Sequence, residues 1–329
     1  MRAVLIVNPN ATSTTPAGRD LLAHALESRV ELTVVPTGRR GHAIDIARQA
    51  AADGVDVVVA HGGDGTVNEV VNGILSQTKA IDAPAVGVVP GGSANVFARI
   101  LGLSIDPLQA TNQLIDLLAE RRNGMPWRRI GLMDCRGKAA DGSGEDSAQS
   151  RWALFTAGMG VDADVVAAVE AQRAKGRKVS AARYIRVSLR EMLGSVRAEP
   201  ALTVQLPGQE PVSGVHFAFV SNANPWTYAN TRPIWTNPGT TFDTGLGVFA
   251  VTSMSVWRNL LLTSRMISAK HKVKASHLIR HDDLPWLTIT GARPVACQID
   301  GDYIGERESM TFTSVPEVLN VIAPPLPTR

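Results

Sequence analysis

The first third of the chain alternates short β-branched runs with helix-length stretches, and this constrains the fold more than any other feature. Ala3–Val7 precedes a helical pattern over 17–28, and Glu31–Val35 precedes one over 42–52. Val55–Ala60 precedes 67–75, Ala85–Val89 precedes 94–101, and a further helix is expected near 108–120. Strands separated by whole helices cannot pair as hairpins. Each helix must cross back over the sheet, which predicts a parallel sheet with helices on both faces. In such sheets ligands are received at the carboxyl ends of the strands.

The pattern changes at Met125-Pro126-Trp127. Beyond it come short strand candidates at 128–134, 152–157, 201–206, 215–221, 246–252, 286–290, 294–299 and 309–313, separated by turns such as Pro207-Gly208 and Asn237-Pro238-Gly239. This predicts an antiparallel β-sandwich. Two helical interruptions are expected at about 163–195 and 255–270, and 136–151 reads as a surface loop. With 329 residues, two domains are expected: an α/β domain over 1–127, completed by 314–329, and the β-sandwich over 128–313.

Charge separates the two halves. Residues 1–127 carry ten Lys/Arg against twelve Asp/Glu, a net −2, and residues 128–329 carry 23 against 18, a net +5. Within the second half, 173–197 holds eight basic residues against Glu191, and 258–281 holds six with no acid. Such runs suggest an anionic partner, a lipid surface or a nucleic acid. A hydrophobic content of 44% with 19% charged residues excludes a disordered chain. No apolar run reaches the ~18–20 residues that span a bilayer, and Ala3–Val7 is too short for a signal peptide. Cys135 and Cys297 lack metal-type spacing and argue against a disulfide framework. A cytoplasmic protein that touches membranes only peripherally is expected.

The richest chemistry lies in Val57-Val58-Val59-Ala60-His61-Gly62-Gly63-Asp64-Gly65-Thr66-Val67-Asn68-Glu69. A strand enters a glycine-rich turn, and Thr66 with Glu69 reads as a T-x-x-E capping box. The turn would then deliver a helix N-terminus, whose N–H groups and positive dipole end favour phosphate. Gly62, Gly63 and Gly65 would let that phosphate approach the backbone. Asp64 beside a phosphate is repulsive unless a cation such as Mg2+ lies between them. A second turn of this kind, Pro90-Gly91-Gly92-Ser93-Ala94-Asn95, follows the next strand. With Asn8-Pro9-Asn10 and Thr37–His42, four loops line one sheet edge as a polyphosphate cleft. No G-x-x-x-x-G-K-[ST], H-E-x-x-H or G-x-S-x-G occurs. Gly158-x-Gly160-x-x-Ala163 lacks the βαβ frame that a dinucleotide requires. Read locally, Asp300-Gly301 is a hairpin turn.

Gly62-Gly63-Asp64-Gly65-Thr66 with Asn68-Glu69-Val70-Val71-Asn72-Gly73 resembles the signature of the diacylglycerol kinase catalytic-domain family, which includes bacterial lipid kinases and sphingosine and ceramide kinases. Asn8-Pro9, Thr37 to Ala43, Pro90 to Arg99, Gly160-x-Asp162-Ala163, Asp243-x-Gly245-Leu246 and Ile299-Asp300-Gly301-Asp302 resemble further motifs of that family, in its order. The resemblance implies a two-domain kinase that moves the ATP γ-phosphate to a lipid hydroxyl, most simply diacylglycerol. Asp300 matches the general base and Asp64 the Mg-ATP aspartate. Asp162 and Asp243 match magnesium-linked acids, the latter with the Leu246 carbonyl. It further implies nucleotide contacts from Asn8, Pro9, Asn10, Thr37, Gly62, Gly63, Asp64, Gly65, Thr66, Glu69, Gly91, Gly92, Ser93 and Asn95. The lipid would sit at an anionic membrane surface, and a homodimer would match the family. Val96 and Asp302 depart from the family's Asp and Glu. A sphingoid-base or ceramide kinase, an NAD kinase and an inactive nucleotide- or lipid-binding regulator are the rival readings. Nucleic acid is not expected, since no nucleic-acid fold or aromatic platform is evident.

Overall fold

The computed structural model describes residues 1–76, 82–139, 150–160, 200–229, 232–253 and 275–325. The chain forms two compact units, Met1–Gly131 with Pro316–Arg329, and Leu132–Val315.

In the first unit β1 (Arg2–Val7), β2 (Glu31–Pro36), β3 (Val57–Gly62) and β4 (Ala85–Pro90) are all parallel, in the order β2-β1-β3-β4. Every residue of β3 and β4 is buried, as strands between helical layers must be. The connections carry α1 (Pro16–Glu27), α2 (His42–Ala52), α3 (Asp64–Leu75), α4 (Val96–Ile100) and α5 (Pro107–Arg122). Thr15 caps α1 by accepting from Gly18 N, and Asp106 caps α5 by accepting from Gln109 N. Each of these helices begins with proline, which is pre-organised for that position. The chain's end returns to this sheet. Val321 pairs in parallel with Val86, Ile322 N donates to Val86 O at 2.9 Å, and Asn320 Nδ2 donates to Ala83 O at 3.3 Å.

The second unit is antiparallel. Its strands are β5 (Arg128–Ala139), β6 (Arg151–Ala153), β7 (Thr156–Gly160), β8 (Leu202–Gln205), β9 (Val212–Val215), β10 (Phe217–Ser221), β11 (Thr227–Ala229), β12 (Arg232–Ile234), β13 (Leu246–Val251), β14 (Leu278–Leu284), β15 (Trp286–Ile299) and β16 (Asp302–Val321). The main path is β14-β13-β10-β7-β15-β16. The later half of β15 pairs with β7 and its earlier half with β8, which carries β9. Val204, Val215 and Ile289 from one half share a buried core with Met159, Val220 and Val248 from the other. On the opposite face of β10 and β13, Phe219 stacks on Trp226, ring centroids 4.8 Å apart.

Three expectations change. The runs 286–290 and 294–299 are one strand, β15, whose register against β16 shifts between Thr290 and Val295. An irregularity in pairing reads in sequence as a break, although the chain continues. Conversely, 152–157 is two strands, interrupted at Leu154–Phe155, where the backbone N–H groups serve a side chain instead of a ladder. The surface loop expected over 136–151 begins later, because β5 runs on to Ala139 and Lys138 pairs with Glu308 at 2.6 Å. Gly158 and Gly160 lie in antiparallel β7, with no βαβ frame. The helices expected at 163–195 and 255–270 and nearly all of both basic runs fall outside the described residues. Among those residues no helix is long and apolar enough to cross a membrane.

Candidate functional site

Parallel strands deliver their carboxyl ends to one edge, so Asn8, Thr37, Gly62–Gly63 and Gly91 emerge together. Asn8 N donates to His61 O at 2.9 Å, and Asn8 Nδ2 to Thr66 Oγ1 at 3.2 Å. Asn8 Oδ1 accepts from Asn10 N at 3.0 Å, an Asx turn that ends β1. Thr37 N donates to Val7 O at 2.8 Å, Gly91 N to Gly62 O at 2.8 Å and Ser13 N to Gly91 O at 3.0 Å. Pro9, Asn10 and Ser93 remain exposed at the rim.

The glycines have a use before any ligand is considered. A Cβ on Gly92 would stand 2.7 Å from Gly63 Cα, and one on Gly91 would stand 3.1 Å from Gly62 Cα. The turns after β3 and β4 therefore pack backbone against backbone. Asn95, left-handed at φ 48°, clasps the second turn: its Oδ1 accepts from Gly92 N at 2.9 Å and its Nδ2 donates to Gly92 O at 2.8 Å.

The expected capping box does not form. The turn is tight enough that α3 starts at Asp64, with Gly63 as N-cap and no side-chain cap. Thr66 thus lies inside the first turn, beyond the position from which it could cap. Glu69 reaches the neighbouring helix instead, where its two carboxylate oxygens accept from Gly41 N at 2.9 Å and Ala43 N at 3.2 Å at the start of α2. Asp64 does the same for α4, accepting from Val96 N and Phe97 N, both at 3.0 Å.

His61 is a residue that the motif reading passed over. It is 1% exposed at the end of β3, with Nε2 3.3 Å from Thr14 Oγ1 and no partner at Nδ1 among the described residues. Burial lowers its pKa to about 4, so it is neutral at physiological pH. The available signal was a polar residue closing an otherwise apolar buried strand.

In the second unit Asp300 and Gly301 both have positive φ, 50° and 82°, and join Ile299 to its partner Asp302. This is the two-residue hairpin turn that the local sequence predicts. Asp300 is nonetheless only 6% exposed, and its carboxylate accepts from Leu154 N at 2.7 Å and from Phe155 N and Thr156 N at 3.0 Å. Asn222 braces the same segment, donating from Nδ2 to Leu154 O and from N to Phe155 O, both at 2.9 Å. Ser221 pairs with Thr156 on one side and Gly247 on the other, so the 237–246 loop leaves the same sheet end. Asp243 is exposed there, its N–H donating to Thr241 Oγ1 at 3.3 Å, and Leu246 is buried as the first residue of β13. The loop is held by Asp282, which accepts from Asn237 Nδ2 at 2.9 Å, and by Asp283, which accepts from Gly245 N at 2.7 Å. Asp162 lies outside the described residues. Among the described residues, which leave out Asp162, no group of three or more His, Cys, Asp or Glu side chains could hold a metal ion.

Residues 2–123 match the model of the diacylglycerol kinase catalytic domain. The match covers the four-strand parallel sheet and the five helices described for it. The chain is 25% identical over 306 residues to the "Probable lipid kinase YegS-like" protein of Stenotrophomonas maltophilia, covering 88% of this chain and 86% of that one. It is 41% identical over 95 residues to the protein of the same name from Chromohalobacter salexigens, covering 29% and 30%. Over 127 residues it is 37% identical to the diacylglycerol kinase of Bacillus subtilis, covering 36% and 39%. These last two matches span only about a third of the relatives' length. Among solved structures, a diacylglycerol kinase from Bacillus anthracis superposes with a TM-score of 0.69 at 17% identity, covering 98% of this chain and 97% of that one. That is a likeness of fold.

Proposed function

We propose that this protein is an ATP-dependent lipid kinase that transfers the γ-phosphate to a lipid hydroxyl, with diacylglycerol as acceptor and phosphatidic acid as product. The observation that carries the reading is the pattern of helix caps in the first unit. α1 and α5 are capped by Thr15 and Asp106, and α2 and α4 by Glu69 and Asp64, whereas α3 has a glycine N-cap and no side-chain cap. Its first-turn N–H groups and dipole favour a phosphate at the centre of the turns built from Asn8, Thr37, Gly62, Gly63 and Gly91. The family match over the same residues supports ATP as the source of that phosphate.

Asp300 supports the acceptor half. Its three N–H donors fix the orientation of a carboxylate that would accept the proton of the acceptor hydroxyl as the oxygen bonds to the γ-phosphorus and ADP departs. Transition states of this kind are loose and ask little of a base beyond position, which suits a carboxylate already held by three donors. Magnesium commonly neutralises phosphate charge in such reactions. The basic runs 173–197 and 258–281 support presentation of the lipid at an anionic membrane surface.

The test is transfer of radiolabelled γ-phosphate to anionic vesicles carrying diacylglycerol, ceramide or sphingosine, with NAD as a soluble control. Labelled phosphatidic acid that falls at least a hundredfold in Asp300→Asn is expected. A labelled sphingolipid would replace the acceptor, labelled NADP would replace the class, and no product from any of them would overturn the reading.

A further inference from the structure

We infer that Asp64 and Glu69 are positioning residues that lock the loops after β4 and β2 onto α3, and that neither is a ligand of a metal ion or of the nucleotide. The second half of this inference rests on the proposed nucleotide site. The first half stands on the geometry of the first unit alone.

Each carboxylate divides its two oxygens between two backbone N–H groups at the start of another helix. Asp64 Oδ2 and Oδ1 take Val96 N and Phe97 N at 3.0 Å, the first two residues of α4. Glu69 Oε1 and Oε2 take Gly41 N at 2.9 Å and Ala43 N at 3.2 Å, on either side of the first residue of α2. These are donors that a helix cannot satisfy internally, and neither helix receives a bond from its own N-cap side chain: Gly41 has none, and the Asn95 amide is spent on Gly92. A negative charge is favoured at a helix N-terminus, so both carboxylates are held by charge as well as by hydrogen bonds.

The arrangement also resolves an electrostatic conflict. An acid placed one residue after a phosphate-binding turn would repel the phosphate. Here its oxygens are turned into the start of α4. α3 becomes a hub whose carboxylates hold two flanking loops while its own N-terminus carries no side-chain cap. Packing reinforces the hub on the α2 side, where a Cβ on Gly73 of α3 would stand 2.4 Å from Ile44 O. The loops after β2, β3 and β4 then behave as one body, and a change at Glu69 weakens nucleotide binding without touching nucleotide.

The experiment compares full-length wild type with Asp64→Asn and Glu69→Gln. Each amide keeps one acceptor oxygen and turns an NH2 toward the second donor. Amide hydrogen exchange is measured without nucleotide or Mg2+, and ATP binding is then measured across a Mg2+ titration. We expect exchange to accelerate at least tenfold at Val96 and Phe97 in Asp64→Asn, and at Gly41 and Ala43 in Glu69→Gln, with β3 unchanged. ATP affinity should fall five- to twentyfold in both, while the Mg2+ concentration giving half-maximal ATP binding stays within twofold of wild type. Unchanged exchange at Val96 and Phe97, or a tenfold rise in the Mg2+ requirement of Asp64→Asn, would overturn the inference. Should wild type bind no ATP, the exchange results still decide the positioning roles, and the kinase reading fails separately. Should Asp64→Asn not fold, Glu69→Gln decides for α2 and Asp64→Ser, which keeps a capping oxygen, for α4.

Discussion

Asp300 answers to two constraints at once, and they can be separated by choice of substitution. Its backbone is left-handed, a conformation that asparagine tolerates and alanine does not, while its carboxylate satisfies three buried N–H groups. Asp300→Asn should therefore keep the hairpin and lose activity. Asp300→Ala should lose both, with a stability cost on the order of 4 kcal/mol from the unsatisfied donors, read from urea unfolding. His61 makes a different prediction. Its folded pKa of about 4 lies below the ordinary 6.5, so the unfolded chain binds the extra proton between those values. The His61 contribution is intact above pH 6.5 and is lost as pH falls toward 4, by about 3 kcal/mol in all. In His61→Phe the urea midpoint should decline less steeply across that window; an identical decline in wild type and variant would refute the assignment. Residue identity alone revealed Asp300 as a turn and His61 as an anomaly, but the partners of both lie far away in sequence.

Among the elements, α2 and α3 are joined most closely. Gly73 lies inside α3, where glycine is otherwise unfavourable, and its reason is the Ile44 carbonyl it faces. Gly73→Ala should destabilise the first unit by about 2 kcal/mol despite the better helix propensity of alanine. A melting temperature equal to or above that of wild type would contradict the close packing. Strand and helix positions in this unit follow closely from periodicity, because β3 and β4 are buried along their whole length and α1 and α2 each bury one apolar stripe, Leu22, Ala23 and Leu26 in the first and Ala43, Ala47 and Ala50 in the second. Helix starts were less legible. The T-x-x-E pattern of Thr66 and Glu69 has the spacing of a capping box, yet the sequence does not reveal that Glu69 faces another helix. In the second unit the register shift within β15 hid its continuity, and the break at Leu154–Phe155 arises from a carboxylate 145 residues away.

For the whole molecule, the first unit is completed by the chain's end. Leu319, Val321 and Ile322 are at most 1% exposed, and the backbone of this stretch bonds along Val86. Removing residues 316–329 should expose the side of β4 and cost on the order of 5 kcal/mol in lost burial. Limited proteolysis should then cut first within residues 1–131, and resistance equal to that of the full chain would show that the tail is dispensable. The sequence by itself determined the strands and helices of the first unit, the parallel character of its sheet, the turns at its carboxyl edge and the Asp300-Gly301 hairpin. These depend on side-chain periodicity and on backbone conformations available only to certain residues, both of which are local. Tertiary structure alone decided which helix each carboxylate caps, what the glycines at 62, 63, 91 and 92 press against, and which N–H groups Asp300 receives. Those partners are set by how elements pack across the sheet, and spacing along the chain carries no record of that.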